Sequence, residues 1–101
     1  MEMITTTFNI KQDFKEILTG YISQRSEDVR QIESSLIDMD FKTIATLSNM
    51  MRWSGSTYGF DYVSEIGIAM EKSADQRDFV EVIYQLKLLK DFLEKLEIKY
   101  I

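Results

Sequence analysis

The sequence predicts an all-α fold, an antiparallel up-down four-helix bundle, and three observations carry that prediction. Apolar residues recur at steps of three and four along most of the chain, the period of an amphipathic helix. Proline is absent and glycine occurs only four times, so little interrupts long helices. Polar connections near residues 38–40, 55–59 and 75–78 are short, which makes consecutive helices antiparallel neighbours. No segment alternates with period two for long enough to predict a strand.

Met1–Phe8 reads as a loose lead-in to a single domain spanning residues 1–101. The first helix is expected to start near Asn9 or Asp13 and to run to about Ile37. Its stripe is Phe14, Ile17, Leu18, Tyr21, Ile22, Val29, Ile32 and Leu36, with a gap bridged by Arg25. Gly20 costs such a helix about 1 kcal/mol relative to alanine. Two readings stay open there: a bend, or a break after a short extra N-terminal helix.

Asp40 is placed to cap the second helix, with Met39 and Ile44 at the two positions of a hydrophobic staple. That helix is expected from Phe41 to Ser54 or Ser56, with Ile44, Leu47, Ser48 and Met51 inward. Ser54-Gly55-Ser56 reads as the turn that follows. The third helix covers roughly Phe60–Ala74, its stripe being Val63, Ile66, Gly67 and Met70. Asp78 and Glu81 have the spacing expected of a capping box for the last helix, which is expected to carry Phe79, Val82, Ile83, Leu86, Leu89, Leu93 and Leu96.

The composition restricts the chemistry more than the fold does. There is no cysteine and no histidine, which removes thiolate nucleophiles, the commonest general base and the commonest zinc ligands. A net charge of −5 with dispersed basic residues argues against nucleic acid, whose phosphates must be neutralised by lysine and arginine. The longest apolar run, Ile66–Met70, is far short of the roughly 20 residues of a membrane span. Met1–Phe8 lacks the basic-then-apolar order of a signal peptide, so the expectation is a cytoplasmic protein with no membrane partner.

Catalysis would have to rest on Asp, Glu, Lys, Ser or Tyr, and none of them forms a persuasive constellation. Asp91, Glu94 and Glu97 are spaced as a carboxylate column but interleave with Lys87, Lys90, Lys95 and Lys99. That is a solvated helix face, with Asp91 and Lys95 a favourable i,i+4 pair, and no metal site is expected. The expectation is therefore a protein without catalytic residues, metal or cofactor. Met51 and Met70 read as core and Met50 as surface. Trp53 has two open roles: closing one end of the core, or anchoring a partner, since Trp and Arg are enriched at interface hot spots. It follows Asn49 by one helical turn, so the two share a face with Ala45, Arg52 and Ser56 on or beside it.

The spacing from Asn49 to Glu71 resembles the core of histidine phosphotransfer (HPt) domains of phosphorelays. That core reads His-x-Leu-Lys-Gly-Ser-x-x-x-x-Gly, then leucines three to four residues apart, ending in Leu-Glu. Asn49, Met50, Met51, Arg52, Trp53, Ser54, Gly59, Val63, Ile66, Met70 and Glu71 fall on it without a gap. The resemblance covers about residues 14–96, with Asp40-Phe41 and Asp78-Phe79 similar to the family's acidic-aromatic helix starts. Two departures matter. The phosphoacceptor histidine is replaced by Asn49, whose carboxamide is not nucleophilic, and the glycine that lets a receiver approach is replaced by Trp53. The resemblance thus implies a pseudo-HPt domain of a two-component system, binding a response-regulator receiver domain without relaying phosphate. Its binding face would hold Ala45, Asn49, Arg52, Trp53 and Ser56. A reading of another class stays open: a self-associating structural bundle or an adaptor outside any phosphorelay. Monomer and homodimer are both compatible with the sequence.

Overall fold

The computed structural model describes residues 6–101. A strand, β1 (Thr6–Ile10), leads through a single 3-10 turn (Gln12–Phe14) into α1 (Lys15–Ile37). Then follow α2 (Phe41–Thr57), α3 (Asp61–Asp75), α4 (Phe79–Lys95) and a second strand, β2 (Leu96–Tyr100). The protein is thus mostly helical, with the four expected helices. Of the short extra N-terminal helix, one of the readings left open, there is only the 3-10 turn. Asn9, one of the two candidate starts of the first helix, belongs to a strand.

The three helix connections share one construction. The N–H of Asp40 donates to the Ser35 carbonyl (2.8 Å) and that of Met39 to Leu36 (3.1 Å). The same pair of bonds recurs as Phe60 to Gly55 (2.8 Å) with Gly59 to Ser56 (3.2 Å). It recurs again as Asp78 to Ser73 (2.8 Å) with Arg77 to Ala74 (3.0 Å). These are Schellman motifs, which satisfy the carbonyls left over at a helix end and need a left-handed residue at their centre. Gly59 (φ 81°), Met39 (φ 55°) and Arg77 (φ 54°) supply it. In each case the residue that closes one helix is also the cap of the next.

Asp40 accepts from the Thr43 N–H at 3.1 Å and from the Thr43 hydroxyl at 2.6 Å, as its capping role requires. Asp78 accepts from the Glu81 N–H at 3.1 Å. The return half of that capping box does not form. The Asp78 N–H is already bound to Ser73, and the Glu81 carboxylate accepts from Gln85 instead.

Helix α1 runs unbroken through Gly20, whose missing side chain faces open space, so only its intrinsic cost is felt. Leu18, Tyr21, Val29, Ile32 and Leu36 are buried, but Phe14 and Ile17 are 49% and 53% exposed. Through the gap in the stripe passes a buried ion pair, Arg25 to Asp28 at 2.8 Å. Ile44, Met51, Val63, Ile66, Met70, Val82 and Leu89 fill the centre and are essentially inaccessible. Phe79 and Ile83 are exposed at the margin of α4. Asp91 and Lys95 do not pair among the described residues; Lys90 reaches Glu33 on α1 at 3.2 Å instead.

The strands overturn the expectation of a strand-free chain. β1 and β2 pair in parallel, Thr6 with Leu96 through Ile10 with Tyr100. Residues 6–8 of the expected lead-in are therefore ordered in a ladder; residues 1–5 lie outside the described residues. Leu96, read as the last residue of the helical stripe, is the first of β2. A two-stranded sheet is marginal alone and needs a packed face. Here Phe8, Ile10, Leu96, Ile98 and Tyr100 pack against the bundle core. Phe8 meets Phe60 edge-on at 4.9 Å, and Phe60 stacks on Tyr21 at 5.5 Å. Tyr21 in turn stacks on Tyr58 at 4.5 Å. An aromatic cluster thus joins the sheet to α1 and to the connection between α2 and α3.

Candidate functional site

The site rests on the seam between α2 and α3, where backbone meets backbone. A Cβ built on Gly67 would lie 2.7 Å from both the Arg52 nitrogen and the Ser48 carbonyl oxygen. One built on Gly55 would lie 2.5 Å from the Ser64 nitrogen. Only glycine permits such an approach. Gly55 is accordingly inside α2, which runs to Thr57, and not in the turn that Ser54-Gly55-Ser56 suggested. Serine hydroxyls complete the seam: Ser64 Oγ donates to the Arg52 carbonyl (2.7 Å) and Ser56 Oγ to Ser64 Oγ (3.2 Å). Ser48, fully buried, donates to Ile44 (2.7 Å).

Because α2 and α3 lie so close, the side chains flanking the seam form one continuous surface. A groove of about 540 Å³ runs beside Asn49, lined by Lys42, Ala45, Met50, Glu71, Asp75 and Arg77 among others. At its edge Arg52 places its guanidinium 5.1 Å from the centre of the Trp53 ring and 3.9 Å from the Glu71 carboxylate. Trp53 is 62% exposed and Met50 56%, whereas Met51 and Met70 are wholly buried. Of the two roles left open for Trp53, closing the core is therefore not the one it has.

The five residues expected on the binding face are brought only partly together. Ala45 and Asn49 line the groove, and Arg52 and Trp53 stack at its rim. Ser56 is exposed, but its hydroxyl is engaged in the seam with Ser64. The groove also recruits Lys42, Asp75 and Arg77, which the sequence did not single out. Glu71 and Asp75 are one turn apart on α3, a spacing that hints at a shared face. Arg77 could not have been found that way, since its place follows from the left-handed turn. It crosses back over α2, 5.1 Å above the Phe41 ring.

The groove is mixed in charge, with Lys42, Arg52 and Arg77 against Glu71 and Asp75. The Asn49 amide in its lining can donate and accept hydrogen bonds but cannot attack phosphorus. No group of three or more carboxylates able to hold a metal ion occurs among the described residues. No known protein family model matches the chain, and no curated protein or solved structure is significantly similar to it.

Proposed function

We propose that this protein is a non-catalytic, HPt-like adaptor that docks a receiver-type partner on α2 and relays no phosphate. The observation that carries the reading is the exposure of Trp53, 62% accessible one turn beyond Asn49. An indole left in water at the point of expected contact is a strong candidate for a hot spot. Arg52 stacks against the ring and neighbours Glu71, which limits the freedom of both side chains before binding. Met50 adds an adaptable apolar contact beside them. In the finer fold that goes with this reading, the four helices alternate in direction as an antiparallel up-down bundle. The three-residue connections support it. Such an adaptor would work in the cytoplasm, and no helix among the described residues is long and apolar enough to cross a membrane.

The test is titration of cognate receiver domains against wild type and Trp53→Ala, with transfer from a phosphorylated receiver assayed in parallel. Binding should weaken by roughly 30-fold or more in the variant, the size expected for a hot-spot tryptophan. No phosphate should accumulate on either protein. Stable phosphorylation of the wild type, or binding indifferent to Trp53, would overturn the reading.

A further inference from the structure

The second edge of β2 has no strand beside it among the described residues, because the sheet consists of β1 and β2 alone. Its backbone polarity can be read directly. The Ile101 N–H donates to the Ile10 carbonyl (2.8 Å), and the Ile101 carbonyl accepts from the Gln12 N–H (3.0 Å). The polar groups of residue 101 therefore face β1. Successive residues of a strand turn theirs to opposite edges, so Lys99 and Glu97 also face β1. Those of Leu96, Ile98 and Tyr100 face outward.

We propose that this edge pairs with the β2 edge of a second copy of the same chain, antiparallel about a two-fold axis through Ile98. In that register Ile98 meets Ile98, and Leu96 meets Tyr100 of the second copy. These are the residues with outward N–H and C=O groups, so each opposed pair exchanges two backbone hydrogen bonds. Glu97 then faces Lys99 of the second copy, twice by symmetry. They occupy the non-hydrogen-bonded positions, where opposed side chains approach most closely. Both side chains are exposed on the solvent face, while Leu96, Ile98 and Tyr100 remain on the face packed against each core.

The charges also reject the neighbouring registers. Centring the pair on Lys99 would set lysine against lysine, and centring it on Glu97 would set glutamate against glutamate. Like charges directly opposite disfavour pairing. A strand guarded against association commonly carries lysine on its edge. One lysine and one glutamate placed symmetrically about the central residue instead make the edge self-complementary. β1 has no such property, since pairing about Phe8 would oppose only Thr7 and Asn9.

The experiment measures mass against concentration by sedimentation on the full chain, for wild type, Glu97→Lys, Lys99→Glu and the exchanged double variant. Helical circular dichroism confirms that each variant folds. A dimer is expected for wild type, and each single reversal should raise its dissociation constant by about tenfold or more. The double variant should recover the wild-type value. Mixing the two single variants should give a heterodimer, because every opposed pair is then glutamate against lysine. Trp53→Ala should leave the dimer intact, so failure here is distinct from failure of the adaptor reading. A wild type monomeric at all concentrations would overturn the proposal. So would a dimer insensitive to both reversals, or one that Trp53→Ala dissociates.

Discussion

Arg25 and Asp28 form an ion pair 2.8 Å long with side chains only 6% and 4% accessible, inside the apolar stripe of α1. The guanidinium also donates to Ser54 Oγ on α2 at 2.8 Å and lies 4.7 Å from the Tyr21 ring centre. Asp28 accepts a further bond from Gln24 at 3.1 Å. Both carboxylate oxygens of Asp28 and two nitrogens of the Arg25 guanidinium are engaged, and such bonding is what lets a buried charge pair be tolerated. Removing one partner leaves the other charged and desolvated. Arg25→Ala or Asp28→Ala should therefore lower unfolding free energy by about 3–5 kcal/mol in urea denaturation. The double replacement Arg25→Met with Asp28→Leu should cost far less than the sum of the single losses.

The shared helix endings give a second, sharper comparison. All three centre on a left-handed residue, but only Gly59 is free of the Cβ penalty of that conformation. Met39→Gly should stabilise the protein by about 1 kcal/mol, the larger part of that penalty. Arg77→Gly should give less, because it also removes the guanidinium above Phe41, a contact of about 0.5–1 kcal/mol. Gly59→Ala should run the other way. Thermal melts of the three variants check the order, and an Arg77→Gly gain exceeding that of Met39→Gly would contradict it.

These endings also explain what could be read from the chain. Asp40 and Asp78 were legible as caps because capping is local and depends on residue type. The stripes of α2 and α3 were legible because burial at Ile44, Met51, Val63, Ile66 and Met70 follows the helical period. The strands were not. Leu96, Ile98 and Tyr100 alternate with Glu97 and Lys99, but Leu89, Leu93 and Leu96 also fit a helix, and five residues do not decide between periods. Their partner, β1, lies at the other end of the sequence. The same non-locality hid Arg25: a charged residue in an apolar stripe reads as a gap until Ser54 is seen against it. At the candidate site Ala45, Asn49, Arg52 and Trp53 were visible as one face of α2, and Lys42, three residues before Ala45, lies on that same helix. Asp75 and Arg77 joined them only through the packing of α3 against α2.

Asp40 links a cap to pH. Its carboxyl is held below the ordinary carboxylate value chiefly by the Thr43 hydroxyl, then by the Thr43 N–H, with a smaller contribution from the Lys42 charge. Slight desolvation opposes these. A carboxylate whose folded pKa is depressed stabilises the fold above its unfolded pKa, and that contribution is lost as pH falls through the folded pKa. Asp40→Asn keeps a capping oxygen but not the charge. Wild type should be the more stable of the two at neutral pH, with the difference shrinking once pH drops below the usual aspartate range. Urea midpoints measured from pH 7 to acid conditions test this, and a difference that grows on acidification would refute it.

The seam glycines tie fold to site. Gly67→Ala must accommodate a methyl carbon 2.7 Å from the Ser48 oxygen and the Arg52 nitrogen, both of them backbone atoms within α2. Neither can rotate aside, so α3 must move away from α2. Overpacking of this kind costs about 1–3 kcal/mol. The displacement should also carry Glu71 away from Arg52, now 3.9 Å distant, and leave the guanidinium freer above Trp53. Trp53 is the only tryptophan in the chain, so its fluorescence reports on that rim alone. Gly67→Ala should alter the intensity or lifetime of Trp53 emission while the helical signal persists. Gly20→Ala, where an added methyl meets nothing within 4 Å, should leave the emission unchanged and raise stability by about 1 kcal/mol. Identical Trp53 emission in both variants would mean that the seam does not position the rim.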